Sequence, residues 1–229
     1  MTVVCKNVLA IDTSGSFCSV AILNGSGVIT ALSSPGLGDH FEQLPVIVGR
    51  VCAEAGVATT DIRAIRIGVG PGSFTGLRIG MSFVKGLAWS LRVPLIGCSS
   101  FAGAAAAAMS RDSALRRVVV LADARRDEVF AAAYTRGASV VEEIAPCIVP
   151  IGELDGSSWT KPDTRWVTPQ RDFALSEGEI AAESEIAKGF LLMDDNEAQG
   201  FDLGKISALE PTYLRAVAAK TIEERKKGA

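Results

Sequence analysis

Two short stretches in the first third of the chain carry the residue types best suited to chemistry. The first is Asp12-Thr13-Ser14-Gly15-Ser16, which follows an apolar run. A tight turn of small hydroxyl residues exposes backbone N–H groups, and successive N–H groups form a nest that holds a phosphate. Asp12 stands where a carboxylate would orient a metal-bound water. Asp12, Thr13 and Ser14 are therefore candidates for weak phosphate or nucleotide binding. The same residue types also build ordinary hairpin turns, so this stretch leaves both readings open. The second stretch is Gly-Pro-Gly-Ser-Phe-Thr-Gly-Leu-Arg-Ile-Gly, from Gly70 to Gly80. Ser73 or Thr75 can cap a following helix by accepting its free N–H groups. A glycine-rich turn before a helix is also an anion site in principle. It is not a P-loop, because no Lys-Ser/Thr pair follows.

What is missing narrows the chemistry. His40 is the single histidine among 229 residues. No two-histidine metal site can form within one chain, so the zinc hydrolase patterns are excluded. His40 has no Ser or Cys nucleophile at a recognisable spacing, and no Gly-x-Ser-x-Gly occurs. The expectation is no catalytic residue, no bound metal and no cofactor. The five cysteines, Cys5, Cys18, Cys52, Cys98 and Cys147, are odd in number and widely spaced. That pattern fits reduced, buried thiols of a cytoplasmic protein. The net charge of −3 provides no general basic field for nucleic acid. Arg225, Lys226 and Lys227 form the one basic cluster, a solvated tail or a local RNA contact. The longest apolar region, Ile79 to Cys98, is broken by Lys85 and Arg92, so a soluble chain is expected. The N-terminal apolar run stops at Asp12, too short for a signal peptide.

The elements that must position these residues follow from periodicity. Val8–Ile11, Phe17–Leu23 and Val28–Leu32 read as an antiparallel meander, with Asn24 to Gly27 as a turn. His40–Ala55 reads as a helix with Phe41, Leu44, Val48 and Val51 at helical spacing, ended by Gly56. Pro45 should kink this helix or mark where it begins. Ile62–Val69 is a strand, Phe74–Leu91 a helix and Pro94–Cys98 a strand. The order β-β-β-α-β-α-β implies a mixed sheet in an α/β domain. The run Ala104–Ala108 is a helix interior.

The Phe74–Leu91 helix is apolar around most of its circumference. Leu77, Met81, Val84 and Ala88 line one side, and Ile79, Phe83, Leu87 and Leu91 another. Such a helix is covered on two faces. One cover is its own sheet, and the other is a neighbouring helix or another subunit. Gly72, Gly76 and Gly80, spaced by four, form a smooth stripe that lets another backbone approach closely.

The second half repeats the first. Val120-Leu121-Ala122-Asp123 mirrors Leu9-Ala10-Ile11-Asp12, and Val129–Tyr134 mirrors Phe17–Leu23 at the same offset. Val140–Val149 supplies a third strand. The turn matching Asp12–Ser16 is Ala124-Arg125-Arg126-Asp127, without glycine or hydroxyl residues. Beyond it, Trp166-Val167 reads as a short strand, Glu183–Met193 as a helix and Leu209–Arg215 as extended chain, with a helical tail. The second half is thus a shorter copy of the first.

Several of these stretches together resemble the TsaB (YeaZ) family. They are Leu9–Ser14 with Cys18–Ala21, His40–Pro45, Gly70–Gly80, Asp123–Arg125 and Pro211–Arg215. The resemblance implies a duplicated actin/Hsp70-like ATPase fold, ribonuclease H-like, of two α/β domains. They are expected at residues 1–102 and 103–229, the second reduced and the last segment packing back on the first. It implies a role in making threonylcarbamoyladenosine beside the anticodon of tRNAs that read codons beginning with A. In that role the chain is a non-catalytic subunit that binds the transferase TsaD, with the ATPase TsaE joining, and is homodimeric alone. tRNA would meet it only through the complex. The implied interface takes in Phe41, Leu44, Val48, Val51, Phe74, Gly76, Leu77, Ile79, Gly80, Met81, Phe83, Val84 and Leu87. Changing Gly76 or Met81 is then expected to abolish partner binding and leave the fold intact. The competing reading is a nucleotide-binding or metallopeptidase-like enzyme of the same fold.

Overall fold

The computed structural model describes residues 6–35, 40–156, 158–169, 180–181, 184–193 and 200–215. Its first sheet has the order β3-β2-β1-β4-β5. The strands are β1 (Val8–Asp12), β2 (Phe17–Leu23), β3 (Ile29–Pro35), β4 (Ala64–Gly70) and β5 (Leu95–Ser99). The first three form the expected antiparallel meander, and β4 and β5 add in parallel to β1. Helices α1 (His40–Glu54) and α2 (Phe74–Leu91) make the two crossovers, and α3 (Ser100–Arg111) follows β5 directly.

The second sheet repeats this plan. Strands β6 (Arg117–Arg125), β7 (Glu128–Arg136), β8 (Val140–Pro150), β9 (Thr164–Thr168) and β10 (Ile180–Ala181) take the order β10-β9-β6-β7-β8. Read from the other end, β8-β7-β6-β9-β10 matches the first sheet strand for strand. Two such units make up the actin-like ATPase fold. The short helices α4 (Ile186–Leu191) and α5 (Leu203–Ala208) complete the order. The copies are not identical in register. Val8 faces Leu23 in the first hairpin, whereas the offset-matched Val119 faces Ala133 rather than Tyr134. The second hairpin has slipped by one residue around a tighter turn.

Side-chain size sorts the faces of the first sheet. Leu9, Ile11, Val20, Ile22, Ile65 and Ile67 point into a core beneath α1 and α2. The opposite face carries small residues such as Ala10 and Ala21, which let α3, α4 and the second sheet close on it. Because strand neighbours alternate faces, Ser19 on β2 and Arg66 on β4 also fall on this inner side. Ser19 Oγ accepts the N–H of Ala187 at 3.2 Å and donates to Ser184 O at 3.2 Å, at the start of α4. Arg66 donates to Phe190 O and, at 3.2 Å, to Met193 O, at its end. Gly189 and Gly103 let α4 and α3 cross, since a Cβ on Gly189 would lie 1.9 Å from Gly103 O. This six-residue helix is too short to persist alone; side chains from the other half of the chain cap both its ends.

Helix boundaries follow local chemistry. Ser73 caps α2 by accepting Gly76 N–H at 3.2 Å, and Ser99 caps α3 by accepting Ala102 N–H at 3.3 Å. Gly56, at φ +67°, ends the α1 region, with Val57 N–H reaching Cys52 O and Gly56 N–H reaching Ala53 O. These are the two bonds of a Schellman motif. Helix α1 begins at His40 and continues past Pro45, so Pro45 does not mark its start. Strand β3 runs three residues further than expected, helix α4 covers only the middle of Glu183–Met193, and α5 and β10 appear where no element was expected. The division expected between residues 102 and 103 falls inside α3, which touches both sheets. Residues 200–215 return to the flank of the first sheet, where Ile206 joins its core. The tail Arg225 to Lys227 lies outside the described residues.

Candidate functional site

The turn after β1 is closed. Asp12, Thr13 and Ser14 are buried. One oxygen of Asp12 accepts Ser14 N–H at 3.0 Å and Ser14 Oγ–H at 2.7 Å; the other accepts Ser100 Oγ–H at 2.6 Å. Gly68 on β4 leaves room for this carboxylate, since a Cβ there would sit 1.9 Å from Asp12 Oδ2. Thr13 Oγ1 donates to Gly76 O at 2.8 Å, and Ser73 N–H donates to Ser14 O at 2.7 Å.

The stripe of glycines explains the closure. A Cβ on Gly72 would lie 2.4 Å from Ser14 O, on Gly76 2.1 Å from Thr13 O, and on Gly80 2.3 Å from Thr13 Oγ1. The stripe does admit another backbone, and that backbone is the chain's own Thr13–Ser14 turn. The start of α2 therefore packs directly on the Thr13–Ser14 side of the turn, while Gly15 and Ser16 stay half-buried. The equivalent turn in the second half is closed differently. Asp123 accepts Arg125 N–H at 2.7 Å, and its carboxylate pairs with the Arg125 side chain at 3.0 Å. Arg125, Arg126 and Asp127 have φ of 67°, 62° and 57°. Three side-chain-bearing residues in the left-handed region cost about 1 kcal/mol or more each, where glycine would cost little. Among the described residues no group of three His, Cys, Asp or Glu could hold a metal.

The outer face of α1 and α2 is the second candidate. Sequence reasoning assigned thirteen residues to it, and the fold divides them. Leu44, Val48 and Val51 on α1, and Leu77, Met81 and Val84 on α2, are buried beneath these helices. Gly76 and Gly80 face Thr13. All eight are buried, although Leu44 also reaches the depression between the helices, so Gly76 and Met81 hold the fold together and are not levers on binding alone. Ile79, Phe83 and Leu87 are half-buried, and Phe74 is 40% exposed. The side chains of Phe41 and His40 lie outside the described residues. The face also includes Trp89, 63% exposed, and Val46, 56% exposed. Leu44, Arg78, Ile79, Ser82 and Phe83 line a depression of about 410 Å³ between the helices.

Residues 209–215 run along this face to the second half of the chain. Leu209 covers Gly97 on β5, and Thr212 N–H donates to Val69 O at 2.7 Å. Lys85 on α2 donates to Ser207 O at 3.0 Å and pairs with Glu210 at 3.4 Å. Tyr213 lies against the start of α2, its ring 5.1 Å from Phe74 and its hydroxyl 3.1 Å from Arg78 Nε. Arg215 ties the segment to β6 and β7 through Ala124 O and Glu128. Arg78, Trp89 and Tyr213 escaped the sequence reading. Arg78 figured only within the Gly70–Gly80 stretch, and Tyr213 lies far from α2 in sequence. Trp89 alone carried a usable signal, a large aromatic eleven residues, or three turns, beyond Arg78.

The thiols are poor candidates for chemistry. Burial and, secondarily, the negative charge of Asp12 push Cys18 up to about 12. Burial also raises Cys52 and Cys147.

A family profile described as "TsaD: tRNA N6-adenosine threonylcarbamoyltransferase" matches residues 35–190. The Escherichia coli (strain K12) tRNA threonylcarbamoyladenosine biosynthesis protein TsaB is 32% identical over 228 residues, spanning 91% of this chain and 94% of that protein. The chain belongs to the TsaB family. The Bacillus subtilis (strain 168) protein of the same name is 32% identical over 139 residues, 61% of this TsaB-family chain and 59% of its relative. The solved structure of YeaZ from Pseudomonas aeruginosa superposes with a TM-score of 0.71 at 29% identity, covering 91% of this chain and 100% of that one. A structure of an uncharacterized protein with similarity to peptidase YeaZ, from the same organism, gives a TM-score of 0.73 at 29% identity over 92% and 100%.

Proposed function

We propose that this TsaB-family chain serves threonylcarbamoyladenosine biosynthesis in tRNA as a partner subunit with no catalytic residues of its own. In this reading it binds the transferase TsaD through the outer face of α1 and α2. TsaE joins the pair, tRNA is met through the complex, and the site of action is the cytoplasm. Alone, the chain self-associates on the same face. The observation that carries the reading is the double use of α2. Its glycine stripe packs on Thr13 and Ser14 and buries them. The rest of its circumference leaves Phe74 and Trp89 exposed and Ile79 and Phe83 half-buried, apolar area that marks a protein contact. The enzyme alternative needs Asp12 to Ser14 open to ligand, and their burial weighs against it.

Two measurements test the reading. Titration calorimetry with magnesium and ATP is expected to show no binding tighter than micromolar; sub-micromolar affinity overturns it. Phe83→Asp, on the outer face, is expected to abolish capture of TsaD with an unchanged circular dichroism spectrum. Undiminished capture by the folded variant places the contact elsewhere.

A further inference from the structure

Arg78 stands on the outer face of α2 and is held from two sides. Its guanidinium carbon lies 4.0 Å above the Phe74 ring, and its Nε donates to the Tyr213 hydroxyl at 3.1 Å. An exposed arginine ordinarily samples many rotamers, and binding must then freeze them. Stacking and the tyrosine hydroxyl fix this one in advance. Its terminal amino groups, which form the planar fork that matches a carboxylate, have no acceptor among the described residues; the contacts of Arg78 are those to Tyr213 and Phe74. The same side chain walls the depression lined by Leu44, Ile79 and Phe83.

The charge of α2 says what kind of surface fits. Its basic residues are Arg78 and Lys85, and it has no acidic residue anywhere from Phe74 to Leu91. Lys85 is already paired with Glu210, which leaves Arg78 as the cation to be met; two copies packed with Arg78 against Arg78 would oppose like charges, which disfavours that pairing. A foreign helix carrying Asp or Glu would satisfy the fork. Its negative charge would also lie near the N-terminal end of α2, where the helix dipole favours it and no acid of α2 provides it.

We propose that Arg78, set in place by Phe74 and Tyr213, is a carboxylate anchor for the transferase partner. The partner's facing helix inserts an apolar side chain into the Leu44–Ile79–Phe83 depression and sets an Asp or Glu, about one turn away, on Arg78. The anchor rests on the reading of the α1–α2 face as the partner surface. It adds what the facing helix must carry and why a foreign partner outcompetes a second copy.

The test measures affinity for purified TsaD, and self-association by sedimentation, using the full chain and its variants. Arg78→Ala is expected to weaken TsaD binding about 10- to 100-fold, the range of one charge-assisted pair. The loss shrinks as salt is raised. Arg78→Lys does not restore binding, because a point charge lacks the fork. Tyr213→Phe keeps the ring, loses the hydroxyl and weakens binding by roughly two- to fivefold. Arg78→Glu strengthens self-association while abolishing TsaD binding. If Arg78→Ala binds within twofold of the parent while Phe83→Asp abolishes binding, the anchor is wrong and the face is right. If Phe83→Asp also binds normally, the face reading falls and the anchor falls with it.

Discussion

Replacing Gly76 by alanine reverses the usual effect of that substitution. In an ordinary helix interior, Gly→Ala stabilises by about 1 kcal/mol, because alanine loses less backbone entropy on folding. Here the new Cβ would lie 2.1 Å from Thr13 O, where real contacts essentially never fall below 3.0 Å. The obstacle is main chain on both sides, so the joint between α2 and the β1–β2 turn must open by most of an ångström. Overpacking of this kind costs about 1–3 kcal/mol. Opening the joint also stretches Thr13 Oγ1–Gly76 O, at 2.8 Å, and Ser73 N–Ser14 O, at 2.7 Å. Each bond contributes about 1 kcal/mol. After the helix-propensity gain is set against these losses, Gly76→Ala should destabilise by about 2–4 kcal/mol. With a slope of about 2 kcal/mol per molar urea, the unfolding midpoint should fall by about 1–2 M. Gly86→Ala is the internal control, because a Cβ there meets nothing within 4 Å. It should raise the midpoint by up to about 0.5 M. Urea unfolding followed by circular dichroism compares the two. If Gly76→Ala moves the midpoint upward, as Gly86→Ala does, the turn does not pack on the stripe and the closure of the phosphate turn is refuted.

Three further outcomes follow from other parts of the structure. Arg66→Met removes the charged donor to Phe190 O and Met193 O at the end of α4, at a cost of about 1–3 kcal/mol; hydrogen exchange should speed up at α4 amides before those of α2, and unchanged α4 protection would contradict this. In a Cys5→Ser chain at pH 8, partly exposed Cys147 should react with a thiol reagent, whereas buried Cys18, Cys52 and Cys98 should react only on unfolding; fast labelling of Cys18 would oppose the assignment. Hydrogen bonds from Lys161 and then Arg117 hold the Glu143 carboxyl below its ordinary 4.5. A depressed carboxyl stabilises fully above its unfolded value and loses that contribution as pH falls through the folded one. The melting-temperature gap between the parent and Glu143→Gln should therefore close as pH drops below about 4.5, and a gap that widens would have the wrong sign.

The duplication was legible because strand-Asp-turn-strand recurs at one offset, and strands covered on both faces need unbroken apolar runs, as in Val8–Ile11 and Val118–Ala122. The helices were legible from their 3.6-residue spacing and their Ser and Gly caps. Helix α5 was not. Six residues, Leu-Gly-Lys-Ile-Ser-Ala, are too few to show a period, and one buried contact, Ile206, docks it. The one-residue slip of the second hairpin was hidden as well. It depends on Arg125, Arg126 and Asp127 adopting a conformation their side chains disfavour.

By itself the sequence determined that α2 has a smooth stripe and more apolar surface than one sheet can cover. Periodicity fixes which residues share a side of a helix. It does not fix the rotation of the helix about its own axis, which is set by packing against strands and turns distant in the chain. The tertiary structure decided that the glycines face Thr13 and Ser14, that Met81 and Val84 face the core of the first sheet, and that Leu77 lies against Gly70 at the end of β4. It left Ile79, Phe83 and Trp89 outward and brought Tyr213, 135 residues away in sequence, onto Arg78. An arginine that broke an apolar pattern thereby became the oriented group on the surface. Asp12, Thr13 and Ser14 of the chemistry-bearing turn became part of the core because the glycines of α2 let main chain pack directly against main chain.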